Sequence, residues 1–127
     1  MKSPKTTIEL NGNDLTFDQL YAVALQDSRV SLARIACEKM DASRSVVEKL
    51  VASGKTAYGI NTGFGKLASV RISTEQVRQL QVNLVRSHCC GVGEPLSKFE
   101  TRSMMLLRAN ALAKGLSGVK PATVETL

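Results

Sequence analysis

Apolar positions along the chain recur mostly at helical spacing, and glycine-rich or turn-forming stretches interrupt them. Leu32, Ile35, Ala36, Met40, Val47, Leu50 and Val51 fall on one face of a helix predicted from about Ser31 to Ser53, with Gly54 as its stop. Thr16 with Gln19 fits a capping box opening a helix that runs to about Leu25, and Ser73 with Gln76 fits another. After Ser73, the residues Val77, Leu80, Leu84 and His88 follow at helical spacing, about 100° per residue. His88 is therefore expected at the inward edge of that helix's last turn. Ser97 with Glu100 caps a further helix to about Lys114, stopped by Gly115, and Met104-Met105-Leu106-Leu107 predicts burial on more than one of its sides. Pro121 opens a last helix, inside which the chain ends. Near the N-terminus the period changes to two: Ile8 and Leu10 alternate with polar neighbours, and Asn11-Gly12-Asn13-Asp14 supplies turn residues before Leu15. That pattern predicts a short β-hairpin. The expected class is mainly α, a single domain over residues 1–127 with that hairpin at its start.

Composition narrows the function classes. Lys and Arg number 17 against 11 Asp and Glu, a net charge of +6, but they are spread along the chain with no run of three. This reads as a solvated basic surface rather than a nucleic-acid footprint. Three cysteines, Cys37, Cys89 and Cys90, are too few and too irregular for a disulfide framework or a zinc site with paired Cys-x-x-Cys ligands. They point to a reducing compartment, with Cys89 and Cys90 filling space at a tight helix end. No stretch approaches the roughly 18 apolar residues that a membrane span needs, and no secretory h-region follows Met1. The expectation is a cytoplasmic protein with no nucleic-acid or membrane partner.

The helical pattern breaks between Lys55 and Ile72, a loop of functional length in which Gly59, Gly63 and Gly65 follow Gly54. A phosphate loop is excluded, because Ile60 stands where its first glycine belongs and Leu67 where its hydroxyl belongs. A dinucleotide fingerprint fails on glycine spacing. What remains is a loop carrying Tyr58, able to close over a ligand, or else a surface loop whose tyrosine merely packs. Asn61 and Thr62 are expected to hold its turns through side-chain to backbone bonds. His88 is the only histidine; it is either a satisfied packing residue or, with Ser87, a group that hydrogen-bonds a polar or heteroaromatic ligand. With no second His and with Glu94 and Glu100 poorly spaced, no metal site is expected.

Two stretches carry a family resemblance. Thr56-Ala57-Tyr58-Gly59-Ile60-Asn61-Thr62-Gly63-Phe64-Gly65 and Asn83-Leu84-Val85-Arg86-Ser87-His88, continued by Gly91-Val92-Gly93-Glu94-Pro95-Leu96, resemble the N-terminal part of the aromatic amino acid lyases. Weaker agreement covers most of the chain from Thr7 onward. The Ser-His pair resembles the members that act on histidine rather than on phenylalanine or tyrosine. The resemblance implies the helical N-terminal portion of the ammonia-lyase (aspartase-like) fold, in a homotetramer whose sites are shared among subunits. It implies a carbon-nitrogen lyase that removes ammonia from L-histidine to give urocanate, opening histidine catabolism. By resemblance Tyr58 is the catalytic tyrosine, His88 and Ser87 bind substrate, and Gly59, Asn61, Thr62, Gly63 and Gly65 belong to a lid loop over residues 55–72.

The family's electrophile is a methylidene-imidazolone (MIO) group, cyclised from an Ala-Ser-Gly triplet of the enzyme's own backbone. Ala52-Ser53-Gly54 spells that triplet, but at the end of a predicted helix, where the Gly nitrogen cannot reach the Ala carbonyl. The genuine triplet is expected beyond Leu127, so the chain alone is expected to be inactive. The competing reading is a non-catalytic binding module that associates with a full-length lyase or an anionic partner, motivated by the charge and by apolar faces that a partial bundle leaves exposed.

Overall fold

The computed structural model describes residues 7–63 and 72–127. Two strands and five helices follow in the order β1 (Thr7–Leu10), α1 (Phe17–Gln26), β2 (Arg29–Leu32), α2 (Arg34–Ser53), α3 (Thr74–His88), α4 (Lys98–Leu112) and α5 (Pro121–Thr126). They form two compact units, residues 1–46 with 95–127 and residues 47–94.

In the first unit the expected hairpin is replaced by a parallel pair. β1 lies beside β2 in the register Thr7↔Arg29 through Leu10↔Leu32, with α1 as the crossover that parallel strands require. The residues after β1 do form a turn: Asn11 Oδ1 accepts the backbone N–H of Asn13 at 2.8 Å and of Asp14 at 3.1 Å. The turn delivers the chain to Thr16, whose hydroxyl accepts the Gln19 N–H at 3.3 Å while the Gln19 side chain accepts the Thr16 N–H at 3.0 Å. That reciprocal cap starts the predicted helix directly after the turn, which leaves no room for the return strand expected at Leu15. β2 takes the residues that a helix predicted from Ser31 would have used.

The core of this unit joins Ile8 and Leu10 of β1, Val23 of α1, Ala36 and Met40 of α2, Leu106, Ala109 and Leu112 of α4, Ala113 after it, and Val124 of α5. Met40 is 1% exposed, so Met40→Ala would cost about 2–5 kcal/mol through lost contacts and the cavity left behind. α4 carries the reciprocal Ser97/Glu100 cap. It buries one side only, since Met104 and Leu107 are exposed, which corrects the expectation of burial on several sides. Ile35 and Val51, placed on the apolar face of α2, are likewise exposed. No helix among the described residues is long and apolar enough to cross a membrane.

The second unit holds the end of α2, the loop that follows and α3. Gly54 adopts φ +69°, the left-handed conformation that glycine takes most readily, and ends α2. α3 begins after Ser73, which is its N-cap residue but makes no side-chain cap bond; the capping box expected with Gln76 is not formed.

Candidate functional site

Tyr58 lies in a turn built by its neighbours. Ile60 N–H and Asn61 N–H donate to the Ala57 carbonyl at 3.1 and 3.2 Å. Asn61 then closes the loop from inside, its Oδ1 accepting the Ala57 N–H at 2.8 Å and its Nδ2 donating to the Lys55 carbonyl at 2.9 Å. Thr62 Oγ1 accepts the Gly59 N–H at 3.3 Å. Asn61 and Thr62 are buried while Tyr58 is 68% exposed. The polar side chains thus serve as an internal frame, because a loop lacks the ladder that would satisfy its backbone groups. The frame carries a largely exposed tyrosine.

Gly59 has φ +76°, and a Cβ built there meets nothing within 4 Å. Its glycine is required by the turn's conformation and not by crowding. Gly63 is buried, and Ile72 N–H donates to the Asn61 carbonyl at 3.0 Å, tying the far end of the loop back to its framed turn. Gly65 and the rest of residues 64–71 lie outside the described residues.

Ser87 and His88 close α3. Ser87 Oγ donates to the Leu84 carbonyl at 2.9 Å, and His88 Nδ1 lies 2.8 Å from that same oxygen and 3.0 Å from Ser87 Oγ. The helix therefore brings the two predicted residues into contact with each other and with a main-chain group that sequence reasoning did not single out. The signal for Leu84 lay in spacing, since serine in a helix commonly bonds back to a carbonyl three or four residues earlier. His88 is exposed, which corrects its expected inward position. Beyond it, Cys89 takes φ −79° and ψ 61° while Cys90 N–H donates to the His88 carbonyl at 2.9 Å. This is an inverse γ-turn. Both thiols are free and exposed, so they do not fill space as expected.

No group of three or more His, Cys, Asp or Glu suited to a metal ion occurs among the described residues. The Ala52-Ser53-Gly54 triplet does not fit an MIO precursor. Ala52 and Ser53 are helical, Ser53 Oγ donates to the Leu50 carbonyl at 2.9 Å, and the Gly54 N–H donates to the Val51 carbonyl at 3.2 Å. The nitrogen that would have to attack the Ala52 carbonyl is committed to an ordinary helix end.

The aromatic amino acid lyase family model matches residues 15–127. The histidine ammonia-lyase of Geobacillus thermodenitrificans (strain NG80-2) is 49% identical over 120 residues, covering 94% of this chain and 24% of that protein. The crystal structure of histidine ammonia-lyase from Trypanosoma cruzi superposes with a TM-score of 0.85 at 40% identity, covering 94% of this chain and 23% of that one. Ergothionase from Treponema denticola, an ergothioneine-degrading enzyme, superposes at 0.89 with 26% identity, covering 95% and 24%. The chain spans about a quarter of the length of the relatives it matches, and these structures share its mainly helical fold. With a family match over nearly the whole chain and a common fold, the chain belongs to the aromatic amino acid lyase family.

Proposed function

We propose that this chain supplies the lid tyrosine and the ring-binding residues of a histidine ammonia-lyase, which converts L-histidine to urocanate and ammonia in the cytoplasm as the first step of histidine catabolism. The observation that carries the reading is the Ser87-His88 pair, fixed on one carbonyl at the end of α3, in a chain 49% identical to a protein of that name. The chemistry demands two things. An amino group leaves poorly and the proton on the neighbouring carbon is weakly acidic, so an electrophile and a positioned base are both required. In the family reading the electrophile is the MIO group, formed from a triplet other than Ala52-Ser53-Gly54.

The residues of this chain do the rest of the work assigned to them. Tyr58 is the proton acceptor, carried on a turn that Asn61 and Thr62 hold in shape. His88 hydrogen-bonds the substrate ring, and Ser87 sets the imidazole's orientation. Working enzyme is a homotetramer in this reading, with each site completed by other parts of the polypeptide and by neighbouring subunits.

The test is a chimera in which this chain replaces the matching quarter of the Geobacillus lyase. Ammonia release is expected with L-histidine, read as urocanate by its ultraviolet absorbance, and not with L-phenylalanine or L-tyrosine, whose deamination would appear as the absorbance of the corresponding arylacrylates. A folded tetrameric chimera that prefers either of the latter would remove the histidine reading.

A further inference from the structure

Among the described residues, the one imidazole of the chain is held by a single ring nitrogen, and its surroundings decide which nitrogen carries the hydrogen. His88 Nδ1 lies 2.8 Å from the Leu84 carbonyl oxygen. A backbone carbonyl only accepts. A neutral ring with a bare Nδ1 would set two lone pairs against each other at that distance, whereas a hydrogen on Nδ1 turns the contact into a bond. Ser87 adds a second constraint. Its hydroxyl hydrogen is directed at the same carbonyl, 2.9 Å away, so the face it turns towards Nδ1 at 3.0 Å is a lone pair. Both neighbours require a donor at Nδ1.

We infer that Leu84 and Ser87 lock His88 as the Nδ1–H tautomer, leaving Nε2 as a hydrogen-bond acceptor that selects ligands offering an N–H. The ligand's identity rests on the function proposed above; the tautomer does not. For an imidazole-bearing substrate the consequence is directional. A neutral imidazole has one N–H and one bare nitrogen, so it must meet His88 with its N–H side, and this orders which ring nitrogen faces the rest of the site. Ser87 acts through His88 and is a positioning residue. Loss of its bond is worth roughly a twofold to tenfold change in tautomer ratio, the equivalent of one neutral hydrogen bond.

Because the chain has a single histidine, ¹⁵N-labelled protein gives one pair of ring nitrogens in a long-range ¹H–¹⁵N correlation spectrum recorded at alkaline pH. The expected result is a protonated Nδ1 and a bare Nε2, with Ser87→Ala shifting the ratio towards Nε2–H by roughly two- to tenfold. A dominant Nε2–H form, or two nitrogens averaged to one shift, overturns the lock. An Nδ1–H ratio unchanged in Ser87→Ala overturns the part assigned to Ser87. In the chimera, where the rest of the site is supplied, His88→Ala is expected to raise the KM for L-histidine by about tenfold or more. Should Nδ1–H dominate while that KM is unchanged, the lock stands and the ring-binding reading of His88 fails. Should Nε2–H dominate while that KM rises, the lock fails and the ring-binding reading stands.

Discussion

The guanidinium of Arg102 in α4 grips the backbone carbonyl of Val23 in α1 with two donors, Nε at 3.0 Å and Nη2 at 2.7 Å. Val23 lies in the last turn of α1, where carbonyls have no helical partner and where the helix dipole favours a cation. Arg102 therefore fills a vacancy that every helix end creates. Its third nitrogen, Nη1, lies 3.4 Å from Asp27 Oδ1, which also meets Lys98 Nζ at 3.0 Å. Arg102→Ala is expected to destabilise the protein by about 2 kcal/mol, the worth of a charge-assisted bond to a part-buried acceptor. Arg102→Lys should recover only part of that, since an ammonium lacks the planar fork. Asp27→Asn should cost under about 1 kcal/mol, as expected of a largely exposed ion pair. Urea unfolding midpoints of the three variants check the order.

Two glycines with nearly the same backbone conformation should respond differently to substitution. Gly115 has φ +72°, and a Cβ there would fall 2.6 Å from Lys39 Cβ and 2.7 Å from the Lys39 carbonyl carbon. Gly59, at φ +76°, has open space around it. Gly59→Ala should cost about 1–2 kcal/mol, the left-handed penalty alone. Gly115→Ala adds a backbone clash and should cost more than about 3 kcal/mol, because overpacking contributes its own 1–3. Thermal unfolding distinguishes them, and equal losses would show that α2 and the end of α4 are not packed as described.

The cap of α4 has a signed pH dependence. The Ser97 hydroxyl, and after it the Ser97 backbone N–H, hold the Glu100 carboxyl below its ordinary value of 4.5. A depressed carboxyl stabilises the fold when ionised. That contribution is complete above 4.5 and is lost as the pH falls through the lower, folded-state value. Wild type should therefore melt above Glu100→Gln at neutral pH, and the gap should close on acidification. A gap that widens in acid would contradict the cap's electrostatic character.

The 127-residue chain on its own should form no urocanate from L-histidine, because the Ala-Ser-Gly triplet it contains is a helix end with its Gly54 N–H already bonded. Ser53→Ala, which removes the triplet's hydroxyl, should leave the chimera's activity within about twofold of the parent. A loss of several orders of magnitude in Ser53→Ala would mean that this triplet is the electrophile's source.

What could be read from residues alone divides by the range of the interactions involved. The caps at Thr16 and Ser97, the stop at Gly54 and the start at Pro121 rest on contacts within four residues, and each is in place. The internal frame of the Tyr58 turn was legible for the same reason, through Asn61 and Thr62. β2 was not legible. Arg29–Leu32 is four residues long, mostly exposed and paired across a helix with Thr7–Leu10, so alternation alone could not separate it from the start of α2. The Arg102–Val23 clasp joins residues 79 apart, beyond the reach of any local pattern. Ser73 carried the right residue for a cap but no bond, which shows that a capping residue type does not by itself form the cap. The exposure of His88 followed from helix burial, which periodicity assigns only when a partner for the face is known.

Tyr58 is the residue on which the deamination reading turns, and Tyr58→Phe removes only the phenolic oxygen of a largely exposed residue. The decisive measurement is the turnover of L-histidine to urocanate by the chimera with and without that substitution. Loss of at least about a hundredfold in kcat, as general-base removal implies, with an unchanged melting temperature, is the predicted result. A Tyr58→Phe chimera that turns over within a few-fold of its parent would contradict the assignment of this phenol to proton transfer.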